Sequence, residues 1–403
     1  MSIHIIVSIT LLLIGIGVFA IVLERFVRIP YTLLLVVLGF ILSLFTVEFG
    51  IDTGVRASNF QDLMLFILLP VLIFEAAFAL NSKLLFKYLP NVLTLATLGL
   101  LISTTVIAIF LYYGINHSGF PFIAALLTGV VISATDPVAV VGQLKQLKAP
   151  ADLNVLIEGE SLFNDATAIV LFGIILSIAL GQSEPDLPSA IIVFCKVFFG
   201  GIIVGSMLGF FAALLVRLIN ISVPHIVVIT LLLAYGTFYI AEHLLHVSGI
   251  VAVLFAALLF KKSAQNQLTD VYTGLHSVWE SLGFIANIFV FALLGLVVSL
   301  NMFTEMWLAI MLAIVGAFIA RVVAVYISVW LNHFTMGQPT NPKYPPIMVW
   351  GGLRGAVTIA LVLSLPTELP YWWTIQSIGF GIVLFTLIVQ ATTNPILVRK
   401  LKI

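Results

Sequence analysis

The chain has 403 residues, is 62% hydrophobic and carries only 8% charged side chains, at a mean hydropathy of +1.24. Soluble domains carry about 25% charged residues, so the composition excludes a soluble globular protein and predicts an all-α polytopic membrane protein whose main partner is the lipid bilayer. Seventeen basic residues balance seventeen acidic ones, which argues against a nucleic-acid partner, and the single Cys195 excludes an intramolecular disulfide and a cysteine-based metal cluster.

Apolar runs of spanning length fall near 5–24, 31–47, 62–80, 89–113, 120–141, 155–180, 189–216, 224–243, 244–260, 278–300, 304–332, 345–365 and 372–397. About thirteen transmembrane helices are therefore predicted, with the boundary between the eighth and ninth, around His243–His246, the least marked. No Lys or Arg precedes the first run and no small-residue cleavage site follows it, so it reads as a retained helix and not a signal peptide. Lys and Arg concentrate in the odd-numbered loops and at the C-terminus (Arg25, Arg28, Lys83, Lys145, Lys261, Lys402 among them), whereas the even-numbered loops hold only Arg56. The positive-inside rule then places the N-terminus outside and the C-terminus in the cytoplasm. The connections near 48–61 and 261–277 are too short for a soluble domain, and Lys196 in the seventh run is expected to snorkel.

The polar residues inside these runs carry the functional signal. The fifth reads GVVISATDPVAVVGQL. Pro137 lacks an N–H and biases Asp136 away from the α region, so the helix is predicted to break there. An ordinary proline kink capped by Ser133 and Thr135 leaves Asp136 unexplained. The sixth reads VLIEGESLFNDATAIVLF. Asp165 lies about 10 residues, or roughly 15 Å, into it, near the midplane of a hydrocarbon core of about 30 Å. An ionised group there costs roughly 2.5–3.5 kcal/mol, and most often marks an ion or proton site. Glu160, Ser161, Asn164 and Asp165 share a sector of about 140° on that helix, while Glu158 lies nearer the cytoplasmic end. A merely structural polar seam is the plainer reading of that face. Arg321 in the eleventh run is expected to find an acidic or carbonyl partner in a structural ion pair. The twelfth, PPIMVWGGLRGAVTIALVL, is weakened by its glycines at Arg354. Glu160 is the predicted partner of Arg354.

A broken helix followed by a continuous one occurs at helices 5–6 and again at 12–13, and the third and tenth runs each carry one acidic residue, Glu75 and Glu280. An offset of seven helices reverses direction, which predicts inverted repeats with interrupted helices 5 and 12, a transporter signature. The chain is then one transporter domain over 1–403: a first repeat at 1–180, a linking helix at 189–216, a second repeat at 224–397 and a short cytoplasmic tail at 398–403.

The motifs ATDPVAVV (134–141), EGESLFNDATAIV (158–170) and GGLRGAV (351–357), supported by LPVLIFEAAFALN (69–81), HVSGIVAV (246–253) and the Trp279-Glu280, Asn287 and Phe291 pattern, resemble the monovalent cation:proton antiporter-1 family. These are prokaryotic sodium/proton antiporters related to animal sodium/proton exchangers. The resemblance covers nearly the whole chain. It implies thirteen helices arranged as a core bundle (helices 4–6 and 11–13) and a dimerisation scaffold, hence a homodimer in the cell (inner) membrane with a part in pH homeostasis. It implies no enzyme activity and no cofactor; Na⁺ or Li⁺ and H⁺ are transported. Asp165 is then the ion- and proton-binding carboxylate, with Asp136, Thr135 and Ser161 as further oxygens of the site. Asn164, Glu160, Arg354 and Arg321 support it, Glu160 pairing with Arg354.

Desolvation favours the protonated carboxyl and a bound cation favours the ionised one, so H⁺ and Na⁺ are expected to exclude one another at Asp165. Only the neutralised site crosses cheaply. Asn164 stands where electrogenic relatives carry a second Asp, which predicts electroneutral one-for-one exchange. The alternatives are a K⁺/H⁺ antiporter on the same fold, a symporter of a related fold, a passive channel, and a membrane-embedded enzyme, for which His243 and His246 lack the accompanying Glu.

Overall fold

A segment inside hydrocarbon must pair its own backbone N–H and C=O groups, and uninterrupted apolar runs do so as helices. The structure is a computed structural model describing residues 3–27, 29–48, 63–117, 119–183, 186–218, 222–336, 341–401 and 403, and the described residues contain helix and no strand. The helices are α1 (Ile3–Glu24), α2 (Tyr31–Glu48), α3 (Leu63–Ala79), α4 (Ser82–Ile115), α5 (Phe122–Ser133), α6 (Val138–Gln146), α7 (Ala151–Ala179) and α8 (Leu187–Val216). They continue with α9 (Val223–Leu244), α10 (Gly249–Ser263), α11 (Tyr272–Val297), α12 (Leu300–Glu305), α13 (Trp307–Met336), α14 (Tyr344–Trp350), α15 (Ala356–Leu363) and α16 (Trp372–Lys400). Among the described residues nine helical stretches are long and apolar enough to cross a membrane, α5 with α6 counting as one, and Tyr31–Phe45 and Leu63–Ala79 are shorter apolar helices. Arg56 and its connection, Arg28 and Lys402, all used in the orientation argument, lie outside the described residues.

Several helix starts differ from the sequence expectation, α11 beginning at Tyr272 and α7 at Ala151 among them, and two have identifiable reasons. α4 begins at Ser82, seven residues early, because Asn81 Oδ1 accepts the Leu84 amide at 3.2 Å and starts the helix before the apolar run does. Pro90 is tolerated inside it, its carbonyl accepting the Thr94 hydroxyl at 2.8 Å. α10 begins only at Gly249. Its first amides go to Glu242 Oε2, from Gly249 N at 2.8 Å, and to Ser248 Oγ, from Val251 N at 3.2 Å. His246, at φ 52°, makes the turn before it.

The chain packs as two units. One comprises the described parts of Met1–Asp62, Tyr88–Ala168 and Asn287–Ile403; the other comprises Leu63–Lys87 and Ile169–Ala286. Each takes segments from both predicted repeats. In the second unit, Gly201, Gly205 and Gly209 repeat every four residues along one face of α8, against the backbone of Ser248, which caps α10, and of Ala252 and Ala256 within it. Where lipid tails compete equally for apolar contact, such small-residue seams let helix backbones approach closely. Trp279 stacks on Phe74 at 4.2 Å between ring centroids and donates its Nε1–H to Thr230 Oγ1 at 3.0 Å. Lys261 Nζ donates to the carbonyls of Phe78 (2.6 Å) and Leu80 (2.8 Å), closing the end of α3. In the first unit Gly129 of α5 meets the Thr104 backbone of α4, and Gly39 of α2 meets Gly295 of α11. This unit holds every residue of the predicted ion site.

Candidate ion site

The two interrupted runs meet at their breaks. α5 ends at Ser133, Pro137 prevents direct continuation, and α6 starts at Val138. α14 ends at Trp350 and α15 starts at Ala356. Across the breaks, the Asp136 amide donates to the Leu353 carbonyl at 2.8 Å. The half-buried Asp136 carboxylate then serves two helix starts: Oδ1 accepts the Val138 amide at 3.0 Å and Oδ2 accepts the Ala356 amide at 3.3 Å. Helix N-termini carry partial positive charge and unpaired amides, so one carboxylate between two of them is well placed. Gly355 is required beside it, since a Cβ there would occupy the space of the Asp136 carboxylate.

The arginines occupy the opposite poles. Arg354, 4% exposed, donates from Nε to Ile132 O near the end of α5 and from Nη1 to Gly352 O just past the end of α14. Its own amide donates to Thr386 Oγ1 at 3.1 Å. Arg321 donates to Met348 O of α14 from Nε (3.2 Å) and Nη2 (3.0 Å). Carbonyl ends of helices carry partial negative charge, so both guanidinium groups offset dipoles that the breaks expose.

The predicted Glu160–Arg354 pair is not formed. Glu160, 1% exposed, is held by Arg321 in a two-pronged pair, Nη1 to Oε1 and Nη2 to Oε2, the latter at 2.9 Å. Both arginines lie near mid-membrane by residue count, so depth could not separate them. Both arginines donate to carbonyls at the breaks, but only Arg321, from α13, also presents its planar fork to the carboxylate. Glu158, nearer the helix end as expected, pairs with Lys145 at 3.1 Å.

On α7 the polar face meets the α5–α6 break. Asn164 Nδ2 donates to Thr135 Oγ1 at 2.7 Å, Thr135 N donates to Asn164 Oδ1 at 3.4 Å, and the Thr135 and Ser161 hydroxyls are 3.0 Å apart. All three residues are buried. The structure thus joins Thr135, Ser161 and Asn164 in one network, with Asp136 next along the chain. Asp165 is half-buried and follows Asn164 on α7. No described residue donates a hydrogen bond to it. Carboxylate oxygens are hard donors of the kind that suit a proton or a small cation. Glu75 and Glu280 lie in the other unit.

Two threonines escaped the sequence reading. Thr386 receives the Arg354 amide, and Thr32, with its buried hydroxyl unpaired, lines a cavity of about 10 Å³ shared with Asp136 and Arg354. A threonine within an apolar run gives no sign of what it faces.

Crossed interrupted helices, with an acid at the amide poles, bases at the carbonyl poles and a free carboxylate alongside, define a secondary transporter for ions. The chain belongs to the sodium/hydrogen exchanger transmembrane family, whose model matches residues 8–400. It is 34% identical over 381 residues to the Na⁺/H⁺ antiporter ApNhaP of Aphanothece halophytica, covering 93% of this chain and 70% of that protein. It is 32% identical over 400 residues to the Na⁺/H⁺ antiporter NhaH of Halobacillus dabanensis (97% and 96% covered). For the Na⁺/H⁺ antiporter NhaP of Pseudomonas aeruginosa the figure is 33% over 396 residues (94% and 92%). The fold matches that of the sodium proton antiporter MjNhaP1 from Methanocaldococcus jannaschii at a TM-score of 0.84 and 21% identity, covering 100% of this chain and 99% of that one. This is a multi-pass membrane protein of a transporter family, and the reading as a membrane-embedded enzyme falls away.

Proposed function

We propose that this chain exchanges Na⁺, or Li⁺, for H⁺ one for one across the cell membrane, with Asp165 as the carboxylate for which the ions compete. The observation that carries the reading is the charge balance at the crossing. Asp136, Asp165 and Glu160 share one packed unit with Arg321 and Arg354, three carboxylates and two guanidinium groups, with Glu160 paired to Arg321. The ionised site therefore holds one negative charge, and one H⁺ or one Na⁺ cancels it. Exposing the site to alternate faces is cheap when neutralised and costly when bare, which couples the two fluxes. Asp136 is engaged by two amides and Glu160 by Arg321, leaving Asp165 to exchange its ligand. Thr135 and Ser161 supply oxygens, and Asn164 holds the break against α7. The relatives named above are called Na⁺/H⁺ antiporters, which supports the cargo; a K⁺/H⁺ exchanger is the less favoured reading.

With this function go an outside N-terminus and a cytoplasmic C-terminus, from the Lys and Arg asymmetry; inverted halves at 1–180 and 224–397; a homodimer; and no cofactor. The test is recovery of a ΔpH-sensitive dye in proteoliposomes on adding Na⁺, Li⁺ or K⁺. The expected result is a signal with Na⁺ or Li⁺ that is lost in Asp165→Asn. A signal with K⁺ alone would replace the cargo, and a full signal in the variant would remove Asp165 from the site.

A further inference from the structure

A second cavity, of about 20 Å³, has no carboxylate residue in its lining; Arg321, Gly352, Arg354, Phe385, Thr386 and Gln390 contribute to its walls. Gln390 is 7% exposed, and its Oε1 is buried with no hydrogen-bond partner. Leaving such an atom unpaired costs roughly as much as the interactions that build a site. The same cavity is bordered by donors in surplus. A guanidinium has five N–H bonds. Arg354 spends Nε and Nη1 on carbonyls, and among the described residues its Nη2 has no acceptor.

We propose that Gln390 is a positioning residue of the transport site, acting through one buried water held between its side-chain oxygen and the guanidinium of Arg354. A cavity needs about 10–15 Å³ to admit a single water, with two or more polar partners, and this one meets both conditions. Water is also the occupant whose chemistry fits. It donates to the amide oxygen and accepts from the guanidinium, whereas a halide would face the oxygen and a metal cation would face two arginines. The placement gives Gln390 its role. It stands four residues after Thr386, whose hydroxyl takes the Arg354 amide, and both lie in the π-turn Thr386–Gln390 of α16. Such turns inside α-helices are frequent at functional sites. Arg354 is thus held by α16 at its main chain directly and at its side chain through the water, and it in turn holds the carbonyl ends of α5 and α14.

The transport readout of this proposal rests on the exchange reading above; the structural readout does not. A cryo-EM map that resolves ordered solvent in the full-length wild type should show one peak within hydrogen-bonding distance of Gln390 and Arg354, absent in Gln390→Leu. In proteoliposomes Gln390→Leu should weaken apparent Na⁺ affinity about tenfold, the equivalent of one charge-assisted hydrogen bond, and displace the pH profile. Gln390→Asn, which keeps an amide acceptor and adds no charge, should retain the wild-type profile more closely. Gln390→Met serves the same comparison if the leucine variant does not fold. A cavity without density in a map that resolves other waters would overturn the proposal, as would a peak unchanged in both apolar variants. Loss of the peak on replacing chloride by gluconate would identify a halide and overturn it too. A wild type that shows the peak but exchanges no Na⁺ would reject the exchange reading and leave the water in place.

Discussion

Asp136 and Arg354 do complementary work at one crossing, and the substitutions that separate their roles follow from their partners. Asp136→Ala removes the acceptor for two helix-start amides, each cap contributing roughly 0.5–2 kcal/mol. It should lower the melting temperature and abolish exchange, while Asp136→Asn, which keeps one amide acceptor, should recover part of the stability in a thermal-shift assay. The Glu160–Arg321 pair makes a sharper prediction. Removing one partner of a buried pair strands the other charge at a cost of about 3–5 kcal/mol. Glu160→Gln and Arg321→Gln should therefore be strongly coupled in a double-mutant cycle read by thermal unfolding, and Glu160→Gln with Arg354→Gln weakly. Stronger coupling to Arg354 would reinstate the pair expected from sequence. That expectation went astray at an instructive point: charge inventory and depth show that Glu160 needs a cation, but choosing between two arginines depends on which of them presents its fork to the carboxylate.

The helices vary in how plainly their sequences announce them. Pro137 and the glycines around Arg354 mark both interruptions, because a missing N–H and weak helix propensity act locally. The amphipathic first turns of α4 were invisible to a search for apolar runs, and the π-turn at Thr386–Gln390 has no compositional mark, since it arises from what α16 packs against. Glycine supplies two tests at this scale. Gly355→Ala places a methyl group where the Asp136 carboxylate lies, so exchange should be lost even where folded protein is recovered. Gly205→Leu drives a side chain into the Ala252 carbonyl and should prevent α8 from seating on α10, read as loss of a monodisperse size-exclusion peak. At the start of α8, hydrogen bonds from the Ser189 hydroxyl and amide hold the Asp186 carboxyl below its ordinary range. A depressed folded value means that this cap is fully present above the unfolded value near 3.9. It is lost as pH falls through the folded one, so the protection factors of the Ser189 and Ala190 amides, corrected for the intrinsic exchange rate, should fall in acid and stay unchanged in base.

At the scale of the whole molecule, the membrane makes charge the governing quantity. Composition alone places the chain in the bilayer, and the positions of a few ionisable residues within apolar runs point to the proposed site, because each buried charge there must be paired or used. What composition could not supply is the balance among those charges, which depends on Arg321 and Arg354 standing in the same unit as the three carboxylates. On the proposed reading the ionised site holds one negative charge, cancelled by one Na⁺ or one H⁺, so that no net charge would move in a cycle. The most direct measurement is Na⁺ uptake into proteoliposomes under a fixed pH gradient, with the membrane potential clamped at opposite signs by K⁺ and valinomycin. The account predicts initial rates that are the same at both signs, with one H⁺ released for each Na⁺ taken up. A rate that follows the potential, or a ratio above one, would mean that a second carboxylate, Asp136 foremost, titrates during transport and that the charge balance drawn here is wrong.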